Sequence, residues 1–74
     1  MVRWYLQSGP NNSHLQDARW LDTLREARNA IEALPLAPTG EPRPYRLHRV
    51  KFSNLTAGWS KIIDSRVIDE RVMK

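Results

Sequence analysis

Between Pro42 and Ile63 the chain carries Arg43, Arg46, Arg49, Lys51 and Lys61 and no acidic residue, with Tyr45 and Trp59 set among them. Arginine and lysine beside aromatic rings serve two kinds of chemistry. Cations neutralise phosphates while aromatic faces stack on bases. Arginine, tyrosine and tryptophan also form the centres of protein interfaces, where surplus charge speeds encounter with an oppositely charged partner. The plain alternative is a solvated strand whose cations discourage edge-to-edge aggregation. His14 and His48 are the only imidazoles. A general base needs a positioned partner and a pocket, and neither histidine has a second ligand at a metal-friendly spacing. There is no Walker loop, no G-x-G-x-x-G, no G-x-S-x-G and no H-E-x-x-H. The sequence therefore predicts no enzyme, no catalytic residue, no metal site and no cofactor. The partner-binding set it singles out is Arg43, Tyr45, Arg46, Arg49, Lys51, Trp59 and Lys61.

These residues must be positioned by a small number of elements. Val2, Trp4 and Leu6 alternate with Arg3, Tyr5 and Gln7, which is the period of a strand with one buried face. Gly9-Pro10-Asn11-Asn12 breaks that strand with turn chemistry. Ser13 and Gln16 have the spacing of a capping box, with Asp17 at the positive end of the helix dipole and His14 exposed in the first turn. Across residues 15–34, Trp20, Leu24, Ala27, Ile31 and Leu34 recur every three or four positions beside Leu21, and this predicts one long helix with Trp20 in the core. Pro35 closes it. Residues 35–44 hold Pro35, Pro38, Pro42, Pro44 and Gly40, which predicts an extended, stiff loop.

Residues 45–53 read as a strand whose pattern slips. Tyr45 and Leu47 share one face with Arg49 and Lys51, whereas Val50 and Phe52 share the other with Arg46 and His48. A bulge near His48-Arg49 would reconcile the two halves and bring Arg46 beside Arg49. Residues 54–58 predict a hairpin connection, and 59–63 a return strand on which Trp59 is the tryptophan most open to solvent; Trp4 belongs to the core. The tail either continues the sheet after an irregularity at Asp64-Ser65 or forms a short helix; its β-branched run favours strand. The fold class expected is α+β, in the order strand, helix, strand, strand, with a three-stranded, largely antiparallel sheet packed on the long helix.

A chain of 74 residues with no cysteine makes one domain, residues 1–74, near the lower limit of unaided folding, which a homodimer or larger partner would complete. Twelve cations against eight acids leave a net charge of +4, a balance that favours nucleic acid or an acidic protein surface. No apolar run is long enough to cross a bilayer, and residues 1–6 are not a secretory leader, so the expected compartment is the cytoplasm. The N-x-S/T matches at Asn11 and Asn54 are read as chance.

In size, single-domain form, lack of cysteine and lack of any catalytic set, the chain resembles the short accessory proteins of phages and other mobile elements, among them the anti-CRISPR proteins. That resemblance implies a non-catalytic inhibitor or adaptor that covers the surface of a nucleoprotein complex. Its positive charge sets it apart from the many acidic members. From the residues themselves, the leading expectation is a protein-binding module that docks its basic hairpin on an acidic partner. The alternative is a nucleic-acid binder using the same cations on phosphates.

Overall fold

The computed structural model describes residues 1–53 and 61–73. They form β1 (Val2–Ser8), β2 (Asp17–Leu21), α1 (Leu24–Glu32), β3 (Tyr45–Phe52) and β4 (Ile62–Arg71). All neighbouring strands are antiparallel, in the order β2-β1-β3-β4. The α+β class is as expected, but the described residues form four strands and one short helix, not three strands on a long one.

The added strand comes from the segment read as the first half of the helix. Asp17–Leu21 pairs along β1, with Trp4 opposite Leu21 and Ser8 opposite Asp17. A strand needs only one core contact here, and Leu21 supplies it, while Trp20 points to the other side of the sheet and is 41% exposed. The expected core role of Trp20 is therefore corrected. Ser13 is not a helix cap and His14 is not in a helix. Both sit in the β1–β2 connection, exposed, where the Ser13 N–H donates to Asn11 Oδ1 at 3.0 Å. The helix begins instead at Thr23, whose Oγ1 accepts from the Glu26 N–H at 3.0 Å. Thr23-Leu24-Arg25-Glu26 has the T-x-x-E spacing of a cap.

The core lies between α1 and one face of β1, β2 and β3: Leu6, Leu21, Ala27, Ala30, Tyr45 and Leu47, with Trp4, Leu24, Ile31 and Leu34 packed against it. Trp4, expected in the core, is partly buried at its margin. Ala27, with no exposure at all, and Ala30 present little side chain to the sheet, so the helix backbone can lie close to Leu6 and Leu47. We term this surface of the sheet the helix face, and the opposite one the open face.

The proline-bearing loop is not extended. Leu36 bridges Pro42, Ala37 N donates to Glu41 O and Gly40 N to Ala37 O, both at 2.8 Å, so the segment turns back on itself. Gly40 adopts φ 86°, a left-handed conformation that glycine takes without a Cβ penalty. The tail is strand: β4 runs unbroken to Arg71. Its registry with β3 shifts at Leu47/His48 and at Lys51/Phe52, leaving Ile68 and Ile63 as the extra residues on β4. β3 itself is regular against β1, so the expected bulge at His48-Arg49 belongs to the neighbouring strand. The slip in the β3 pattern has another cause: Tyr45 and Leu47 are buried on the helix face, and Val50 is 3% exposed on the open face. The expected 54–58 connection and residues 59–60 of the expected return strand lie outside the described residues, while Ile62 and Ile63 of that segment open β4.

Candidate docking face

No element packs on the open face among the described residues. Antiparallel pairing carries a row of side chains across all four strands there, Trp20 (β2), Tyr5 (β1), His48 (β3) and Val67 (β4). The rings touch: Tyr5 and Trp20 have centroids 4.8 Å apart, Tyr5 and His48 5.7 Å, and Trp20 and Phe52 5.7 Å, all tilted by about 50°. Tilted contacts of this kind add roughly 0.5–1.5 kcal/mol per pair beyond area burial. They hold the aromatic patch as a rigid surface rather than a set of loose side chains.

Charged groups frame the patch in pairs. The Arg3 guanidinium lies over the Trp20 ring at 5.3 Å and its Nε donates to Asp22 at 2.9 Å. Arg46, one row away, reaches Glu70 on β4 at 3.5 Å. Inside this frame Gln7 Oε1 lies 2.7 Å from His48 Nε2. With the amide oxygen as acceptor, Nε2 carries the proton of this hydrogen bond. Burial, and then the charge of Arg46, lower the His48 pKa from its ordinary 6.5.

That shift has a measurable consequence. A histidine whose pKa is depressed by folding stabilises the protein above the unfolded value, and the contribution is lost as pH falls below it, because the unfolded chain takes up the proton first. The urea midpoint is therefore expected to fall as pH is lowered from about 7 toward 5, and His48→Gln is expected to flatten the slope over that window. An unchanged slope in the variant would assign the pH dependence elsewhere.

The residues singled out from sequence are not gathered on one surface. Arg46 is on the open face. Tyr45, Arg49 and Lys51 are on the helix face, where Tyr45 is buried and its hydroxyl donates to Asp69 Oδ2 at 2.8 Å. Burial first, then that hydrogen bond, raise the Tyr45 pKa. Arg49 and Lys51 lie opposite Arg66 and Asp64 on the half of the helix face nearest β4. Arg43 precedes β3, its side chain largely covered and 3.9 Å from Asp17. Lys61 is exposed just ahead of β4, exchanging hydrogen bonds with Ser53. Trp59 lies outside the described residues.

Sequence reasoning missed Arg3, Tyr5, Gln7, Trp20 and Phe52. A signal for them was present: a strand with apolar residues on both faces, as in 45–52, has two faces to cover, and Tyr5 stands in the middle of the polar side of β1. Among the described residues no group of three or more His, Asp or Glu side chains is placed to hold a metal ion, and no helix is long and apolar enough to cross a membrane. No protein-family model matches the chain, and neither a curated protein nor a solved structure is significantly similar to it.

Proposed function

We propose that the chain is a non-catalytic protein-binding module, and that it docks through the open face of its sheet with Trp20, Tyr5, His48 and Phe52 at the centre. The observation that carries this reading is the aromatic row on a sheet face that no described element covers, a Trp/Tyr/Arg composition typical of binding hot spots. Contiguous exposed apolar surface marks interaction sites, and here Trp20 and Val67 stand exposed at the two ends of a row whose Tyr5 and His48 are half-buried.

A protein suits this face better than a nucleic acid for two reasons. Phosphate binding runs on cations free to displace counterions, yet Arg3 and Arg46 each have an acid of the same chain beside them. Base stacking needs accessible ring faces, yet these rings lean on one another. The balanced rim also moves the docking surface away from the basic hairpin and makes a mixed-charge partner as suitable as an acidic one. An inhibitor or adaptor acting on a nucleoprotein complex, as the anti-CRISPR resemblance implies, remains compatible with it.

A second reading rests on a different observation. Arg49, Lys51 and Arg66 gather on the helix face beyond the reach of α1, with Asp64 as the acid in their midst. If phosphate is the ligand, that is where it binds. The test uses tagged protein on a cytoplasmic extract of its host. Proteins retained by the native chain are expected to be lost with Tyr5→Ala/Trp20→Ala, at a cost of at least about 2 kcal/mol in affinity, and kept by Arg49→Glu/Lys51→Glu. The reverse pattern, or salt-sensitive binding of DNA or RNA oligonucleotides abolished by the second variant, would overturn the proposal.

A further inference from the structure

We propose that two copies of this chain pair through the outer edges of β4, as a symmetric antiparallel ladder with Val67 opposite Ile68 of the partner subunit. The proposal does not depend on the open face being a docking site.

β4 and β2 are the two edges of the sheet. β2 is short, whereas β4 is the longest strand, at ten residues, and exposes Ile62, Ile63, Val67 and Ile68 by 42–55%. Among the described residues nothing pairs with its outer side. A long apolar edge is a template for another strand unless charge or irregularity blocks it. β4 has both charges and bulges, so their arrangement decides which role they play.

The charges complement their own reverse. Around a two-fold axis between Val67 and Ile68, Asp64 meets Arg71 of the partner subunit, Arg66 meets Asp69 of the partner subunit, and Ile63 meets Val72 of the partner subunit. In a regular strand this register would fail, because the members of each pair would lie on opposite faces of the sheet. The bulge at Ile68 repairs it. Asp64, Arg66, Asp69 and Arg71 stand opposite Lys51, Arg49, Leu47 and Tyr45, all helix-face residues, while Ser65 and Glu70 stand opposite the open-face residues Val50 and Arg46. Every paired charge therefore finds its opposite on its own side. Sliding the strands one way sets Asp64 against Glu70 or Asp69 of the partner subunit. Sliding them the other way sets Arg66 against Glu70 of the partner subunit across mismatched faces, and then against Arg71 of the partner subunit.

Each surface ion pair adds little. The main gain comes from the edge backbone groups and the half-exposed isoleucines and valines, and the charges select the register. The product is one continuous sheet of twice four strands. Because the two-fold axis stands perpendicular to the sheet, both open faces lie on the same side.

The ladder is short compared with the roughly 1,200–2,000 Å² of a standard stable interface, so the dimer should be concentration-dependent. Sedimentation velocity of the native chain is expected to show mass rising from 8.6 kDa toward twice that value with concentration. Asp64→Arg places two arginine pairs across the axis, and Arg71→Asp two aspartate pairs. Each variant alone should dimerise at least about tenfold more weakly. An equimolar mixture of the two should recover dimer, because every clash becomes an attraction. A native chain that stays monomeric at millimolar concentration would overturn the proposal, as would variants that self-associate like the native chain or a mixture that fails to recover. Hydrogen exchange on the native chain gives a test independent of how the variants fold. Outer-edge β4 amides should gain protection with concentration and those of β2 should not; equal behaviour of the two edges would also sink the idea.

Discussion

Leu47→Ala is expected to leave most of the protein unfolded at room temperature. Leu47 is 1% exposed, directly opposite Leu6 at 2%, and the two occupy the middle of the layer between β1, β3 and α1. Truncating a buried leucine costs about 2–5 kcal/mol, the larger values applying where the surroundings cannot collapse into the void. Here collapse is limited, because the facing helix residues Ala27 and Ala30 have no side chain to extend. A single core of this size rarely supplies more than about 3–5 kcal/mol of net stability. The loss is thus comparable with everything holding the domain together. Val67→Ala removes two methyl groups from the same sheet at a site 44% exposed, and should stay near the ±0.5 kcal/mol typical of surface changes. Far-ultraviolet circular dichroism with urea titration separates the two. A Leu47→Ala protein with a native midpoint would mean that the layer under α1 is not the main core.

The same layer explains what could be read from sequence and what could not. β1 was legible because its alternation is strict and only one side carries aliphatic residues. The tail was legible as strand for a different reason, the β-branched propensity of Val67 and Ile68. Residues 17–21 were not. Trp20, Leu21, Leu24 and Ala27 fit a helical stripe by spacing, but in the fold Leu21 reaches the core from a strand, Leu24 and Ala27 reach it from a helix, and Trp20 serves the opposite face. Spacing alone cannot distinguish one continuous helix from a strand and a helix that share a core, since both place apolar residues at those positions. The decisive local signal was Thr23 with Glu26, a second capping pattern that competes with Ser13 and Gln16.

The candidate site was harder to read because it is a property of pairing rather than of any segment. Tyr5, Trp20 and His48 are far apart in the chain and become one row only through the register of three strands. The basic stretch at 43–61, in contrast, was conspicuous in sequence. Strand alternation then divides it: Arg46 goes to one face, Arg49 and Lys51 to the other. A run of like charge along a strand is always split in this way, so the density of cations in sequence overstated their density on either surface.

Gly9→Ala should be the most damaging change in any connection of the described residues. Gly9 is buried at the end of β1, and its backbone has no unusual φ. Its requirement is spatial: a Cβ there would fall on the carbonyl of His14 and close to the Leu15 Cα. Those are backbone atoms, so no rotamer change can make room, and the β1–β2 connection must lift. The connection has a second duty, because Asn12 exchanges hydrogen bonds of 2.7 and 2.8 Å with the backbone of Met73, tying the loop to the chain just after β4. Lifting it therefore disturbs the Ser8–Asp17 end of one hairpin and the end of β4 together. A loss above about 2 kcal/mol is expected, within the range of strongly disruptive backbone substitutions, with Met73 and β2 amides the first to exchange faster. Gly40 provides the contrast, since its φ of 86° is special but a Cβ at that position would meet nothing within 4 Å. Asparagine tolerates that left-handed conformation better than other residues with a Cβ, so Gly40→Asn should retain most of the stability, whereas Gly9→Asn should be as damaging as Gly9→Ala. Equal urea midpoints for the two asparagine variants would show that close approach at Gly9 does not control the hairpin.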